Sequence, residues 1–105
     1  MSVSLQVVYP ITDETNFDYD YYLGTHMPMV DEYFGTHLER TLVTKGVAGG
    51  PDTPPDIYAI ATLVFADMDA MNAALAKADP VMADIKNFTN TAPQMLVGEV
   101  VLSTD

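Results

Sequence analysis

Asp18, Tyr22 and His26 stand four residues apart, a spacing that in a helix stacks side chains along one ridge on successive turns. Histidine titrates near neutrality without perturbation, so His26 is the candidate general acid or base. Tyr22, one turn away, can donate a hydrogen bond to a carbonyl or enolate oxygen. Asp18, at the border of the helix, can orient either partner. The same spacing also fits a polar histidine hydrogen-bonded inside an aromatic core, and spacing alone does not choose between the two. Pro28, two residues past His26, lacks an N–H and crowds the carbonyl of Gly24. It predicts a kink that opens space beside the imidazole.

Other chemistries are closed or poorly supported. Cysteine is absent, which excludes disulfides, thiolate catalysis, iron–sulfur clusters and Cys-based zinc sites. His26 and His37 fall on different elements and no His-Glu-x-x-His segment occurs, so no metal is expected. Gly46-Val47-Ala48-Gly49-Gly50 lacks the spacing and the following helix of a dinucleotide site, and there is no P-loop. No nicotinamide, flavin or nucleotide cofactor is expected.

Charge narrows the partners. Fifteen acidic residues face four basic ones, Arg40, Lys45, Lys77 and Lys86, for a formal charge of −11. That balance cannot neutralise a phosphate backbone, and it repels anionic membranes and polyanionic substrates. A neutral or weakly polar small molecule fits better. With no basic leader and no run of about 18 apolar residues, the expectation is a cytoplasmic protein. At 105 residues, 49% of them hydrophobic, the chain is expected to form one domain over 1–105.

The elements that must hold these residues follow from periodicity. Val3, Leu5, Val7 and Tyr9 alternate with Ser4, Gln6 and Val8 before Pro10, a first strand. A helix is expected from Phe17 to Phe34, stopped by Gly35, with Tyr19, Tyr22, Leu23, His26, Val30 and Tyr33 on its apolar face. His37 to Lys45 reads as a second strand, followed by a Gly/Pro loop through Pro55. Ile57 to Phe65 reads as a third, apolar on both alternating sets. Asp67 caps a second helix carrying Met68, Met71, Leu75 and Ala78 on one face. It is interrupted at Asp79-Pro80 and continued with Val81, Ile85 and Phe88 on one side. Gln94 to Leu102 is a last strand, also apolar on both sets.

The order βαββαβ is the ferredoxin-like pattern, an α+β fold whose four-stranded antiparallel sheet has both helices on one face. Two helices cover one face only, while strands three and four look buried on both. A second copy of the sheet would cover the other, giving a homodimer.

The chain resembles the EthD family of the dimeric α+β barrel superfamily nearly end to end. The resemblance lies in Tyr9-Pro10; Phe17-Asp18-Tyr19-Asp20-Tyr21-Tyr22 with His26-Met27-Pro28; Lys45 to Gly50; Pro54-Pro55 with Tyr58; Asn87-Phe88-Thr89-Asn90; Pro93; and Gly98-Glu99-Val100. It implies a homodimer with a pocket between sheet and helices in each subunit. It also implies catalytic roles for His26 and Tyr22 and substrate contacts from Tyr9, Phe17, Tyr58, Asn87 and Phe88. Family members are associated with ethyl tert-butyl ether degradation and often labelled reductases, while superfamily relatives act as cofactor-free cyclases, dehydratases, isomerases or monooxygenases. The activity so implied is cofactor-independent acid–base chemistry on a small, largely apolar, oxygen-containing compound. The alternative is a non-catalytic small-molecule-binding or accessory protein of a catabolic pathway. The sequence leaves open whether Asp18 or Asp84 supports the site.

Overall fold

Alternation in the first strand translates directly into burial. In the computed structural model, which describes residues 1–104, this segment forms β1 (Val3–Pro10), with Val3, Leu5, Val7 and Tyr9 buried and the residues between them half-buried. β1 pairs antiparallel with β3 (Ile57–Phe65) on one side and β4 (Gln94–Glu99) on the other, and β2 (Leu38–Lys45) extends the sheet beyond β3. The order β2-β3-β1-β4 is the ferredoxin-like α+β arrangement expected from the sequence.

Register sets the faces. Val7 aligns with Ala61 and Met95, and Leu5 with Leu63 and Val97. The odd-numbered residues of β1 and β3 therefore form one apolar floor, on which Tyr22, Val30, Phe34, Met71, Ala74, Val81 and Ile85 of the helical segments complete the core. The opposite, helix-free face presents Val8, Ile60, Val64, Leu42 and Leu96 among polar neighbours, and none of these five is fully buried.

Several boundaries differ from the sequence expectation. The first helix starts at Tyr19 rather than Phe17: Phe17 forms an isolated bridge with Thr89, and the Asp18 carboxylate caps the helix by accepting the Tyr21 N–H at 3.0 Å. That helix has three parts, α1 (Tyr19–Tyr21), a π-helical turn over Tyr22–His26, and α2 (Met27–Phe34). The second helical region is also divided, into α3 (Met68–Leu75) capped by Asp67, and α4 (Asp79–Asp84), which runs into a 3-10 turn over Ile85–Asn87. Its buried stripe is Met71, Ala74 and Ala78, with Met68 and Leu75 exposed at the flanks. β4 stops at Glu99 rather than Leu102, because its partner β1 begins at Val3, which lies opposite Glu99. No helix among the described residues is long and apolar enough to cross a membrane.

Candidate active site

The expected bend at Pro28 is replaced by a wider turn immediately before it. The Met27 N–H donates to the carbonyl of Tyr22, five residues back, instead of one four back. Pro28 sits in the first turn of α2, where a missing N–H costs little. The extra residue in this turn changes which side chains face the sheet. Tyr22, His26, Val30 and Phe34, each four apart, are all buried, whereas Leu23, expected on the apolar face, is 56% exposed and Tyr33 is only half-buried.

The Tyr22 and His26 rings stack, with centroids 5.7 Å apart and planes 17° from parallel. Phe88 packs against both, at 4.6 Å from the imidazole and 5.0 Å from the phenol. The turn bearing these rings is tied to the far end of the chain, since Asp18 N–H donates to Phe88 O at 2.7 Å and Thr89 Oγ1 donates to Asn16 O.

Asp84, at the end of α4, meets the imidazole. Its Oδ2 lies 3.0 Å from His26 Nδ1, while Oδ1 accepts from the Tyr21 hydroxyl at 2.7 Å and from Asn87 Nδ2 at 2.9 Å. Asp18, the other candidate support, is engaged by its own helix. Tyr21 is the residue that sequence reasoning missed. It lies in the aromatic run, but its link to Asp84 spans 63 residues, which no local spacing reveals.

These contacts fix the protonation states. Burial pushes the His26 imidazole below the usual histidine value, against the hydrogen bond and charge of Asp84, which pull it upward. Burial alone would raise the Asp84 carboxyl, but hydrogen bonds from Asn87, Tyr21 and His26, with the attraction of the imidazole, hold it below the usual carboxylate value. At neutral pH the pair is an ionised carboxylate and a neutral imidazole. Because the carboxylate only accepts, the proton resides on Nδ1 and Nε2 carries the lone pair. Burial raises the Tyr22 phenol to about 12, so that group remains a donor across the physiological range.

His26 is 3% exposed, yet it is not walled in: it lines a cavity of about 50 Å³ between the sheet and the helices. The only polar side chains in that lining are Tyr9, Tyr22 and His26, and none is a carboxylate, ammonium or guanidinium. The Tyr22 hydroxyl, on a residue 1% exposed, has no hydrogen-bond partner among the described residues. A buried donor left unmade costs about 1–3 kcal/mol, and such atoms call for a ligand or water to complete them.

Of the residues expected to contact substrate, only Tyr9 joins Tyr22 and His26 at the cavity. Phe17 and Tyr58 stack on each other at 5.4 Å outside it, with the Tyr58 hydroxyl 2.9 Å from Thr15 Oγ1. Phe88 supports the two rings, and Asn87 holds Asp84. Neither lines the cavity. Among the described residues, no group of three or more His, Cys, Asp or Glu side chains is arranged to hold a metal ion.

Comparison with known proteins bears on this geometry. Residues 10–92 match the EthD domain. An EthD-like protein from Ralstonia eutropha JMP134 is 31% identical and superposes with a TM-score of 0.88, over 98% of this chain and 95% of that one. An EthD family protein from Bacillus halodurans C-125 gives 18% identity and a TM-score of 0.68, over 96% and 100% of the two chains. SnoaB, a cofactor-independent oxygenase from Streptomyces nogalater, gives 13% and 0.62, over 98% of each. The last two share the fold. No curated protein matches the sequence.

Proposed function

The chain belongs to the EthD family, and on that premise we propose that it is a cofactor-independent acid–base enzyme acting on a small, largely apolar compound that carries a carbonyl or hydroxyl. His26 Nε2 takes a proton from a C–H or O–H acid of the substrate. The electron pair left behind moves onto the substrate oxygen, which accepts a hydrogen bond from the Tyr22 hydroxyl. Asp84 keeps the imidazole in its Nδ1–H form and stabilises the imidazolium as it forms, a division of labour familiar from other carboxylate–histidine pairs. The observation that carries this reading is the unpartnered Tyr22 hydroxyl beside an imidazole whose other side is held by Asp84. SnoaB, which shares the fold, is described as a cofactor-independent oxygenase, so this fold is compatible with catalysis that needs no cofactor.

The small cavity and deeply buried imidazole favour a second reading, in which the site binds a ligand and His26 only orients it. Exchange of the α-protons of 2-tetralone in deuterated buffer separates the two. The enzyme reading expects exchange faster than in buffer alone, reduced roughly 10²-fold or more in His26→Ala. Binding without exchange supports the second reading, and equal exchange in the variant overturns the first.

The reading includes a homodimer. The helix-free sheet face, with Val8, Ile60, Val64, Leu42 and Leu96, packs against its counterpart in a second copy, leaving the helical side of each subunit free. Light scattering at micromolar concentration is expected to give twice the 11.4 kDa chain mass, and a stable monomer would contradict it.

A further inference from the structure

The cavity is too small for the substrate class just assigned, so some part of its wall must move. Ligand pockets usually enclose about 300–1,000 Å³, against about 50 Å³ beside His26. Two surface grooves abut the cavity and share wall residues with it. One, of about 310 Å³, lies between α1 and the β2–β3 edge and shares Tyr22. The other, of about 390 Å³, lies between α4 and the segment leading to β4 and shares Met82 and Ile85.

The three shared side chains differ in freedom. Tyr22 is held by ring contacts with Tyr9, Phe17, His26 and Phe88, and Ile85 is buried. Met82 is 44% exposed, and its unbranched thioether repacks easily. Rotating it away would join the cavity to the groove beyond. That groove offers accommodation more than recognition. The side-chain hydroxyls of Thr89 and Thr91 and the amide of Asn90 in its lining are already bound to the chain's own carbonyls.

We propose that Met82 is the movable wall through which ligands reach His26, and that the enlarged site takes a neutral, ring-sized molecule with one oxygen directed at Tyr22. This rests on the acid–base reading for what happens at the imidazole, but the route stands on Met82 alone. A neutral ligand is specified because no charged side chain lines the cavity itself, the single cation of the adjoining groove, Lys86, is exposed to solvent, and the protein as a whole is strongly acidic.

The test is titration of the full-length protein, labelled with ¹³C at the methionine methyls and at histidine Cε1, with 2-naphthol and with 2-naphthoate. Naphthol is expected to shift the Met82 methyl and the His26 resonance together, and naphthoate to bind at least tenfold more weakly. Met82→Ala should bind naphthol at least fivefold tighter or faster, and Met82→Trp at least tenfold more weakly. If the tryptophan variant does not fold, the alanine variant decides.

The proposal fails if His26 shifts while Met82 does not, which would point to the Tyr22 groove. It also fails if both variants bind like the parent, if naphthoate binds equally well, or if naphthol binds none of the three proteins. Tetralone exchange that depends on His26 but is indifferent to residue 82 would break the route and leave the acid–base reading intact.

Discussion

The two sides of the His26 ring are built on opposite principles. Toward Nδ1, every hydrogen-bonding group has a partner: Asp84 binds the imidazole through one oxygen and Tyr21 and Asn87 through the other. On the other side lies the cavity, lined by Tyr22, whose hydroxyl has no partner among the described residues, and otherwise by almost wholly apolar side chains. A buried phenol left without a partner costs stability. The contrast supports the proposed division, positioning on the first side and ligand binding on the second.

Perturbing the imidazole itself should have the largest effect. His26→Ala should lower turnover roughly 10²-fold or more, measured where circular dichroism shows the fold intact. In the parent protein the rate should rise with pH through an inflection below the ordinary histidine value near 6.5, because burial lowers the His26 pKa and the neutral form is the base. The same shift acts on stability. Below about pH 6.5 the unfolded chain takes up a proton that folded His26 still refuses. Stability contributed by His26 is therefore present above that pH and lost as pH falls toward the folded value. Asp84, also lowered, loses its contribution at still lower pH, from the usual carboxylate value downward. Thermal melts across pH 4–8 should show the decline beginning near 6.5.

On the positioning side, Asp84→Ala removes one acceptor and strands three donors. It should cut turnover about tenfold or more and cost about 1–3 kcal/mol in denaturant unfolding. On the cavity side, Tyr22→Phe should behave in the opposite way. Deleting an unpartnered hydroxyl leaves stability unchanged or raises it by about 1 kcal/mol, while turnover falls by up to about tenfold. If Tyr22→Phe destabilised the fold as much as Asp84→Ala, the two sides would not differ in kind. The smallest functional effect belongs to Asp18→Ala. It should cost about 1 kcal/mol through loss of the helix cap and leave turnover unchanged, because the carboxylate serves its own helix.

Much of the scaffold was legible in the chain because strands, caps and stops are written locally. The alternation of Val3 to Tyr9 gives β1, Asp67 caps α3, and the βαββαβ order specifies the sheet. Where reading went astray, the cause was a departure from regular geometry or a distant partner. A uniform 3.6-residue period places Leu23 inside. The π-helical turn, which accommodates the missing N–H of Pro28, places it outside. Phe17 has a helix-compatible sequence context but is drawn into a bridge with Thr89.

At the site, the stacking of Tyr22 on His26 could be read from their spacing. The choice of Asp84 over Asp18 depended on a partner 58 residues away. Tyr21 was invisible as a support for the same reason, whereas Asn87, three residues from Asp84, is recognisable as one only once Asp84 itself is placed beside His26. The aromatic residues Tyr9, Phe17, Tyr58 and Phe88 were recognisable as a group, but only the packing shows that Tyr9 faces the cavity and that the other three lie outside it.

The central claim is that at neutral pH His26 is an uncharged imidazole with its proton on Nδ1, leaving Nε2 free to act as a base. Nitrogen-15 NMR of histidine-labelled protein, followed from pH 4 to 8, reads tautomer and pKa in one experiment. The account predicts the Nδ1–H tautomer at pH 7 and a titration midpoint below 6.5. An Nε2–H tautomer, or an imidazolium persisting at pH 7, would contradict it.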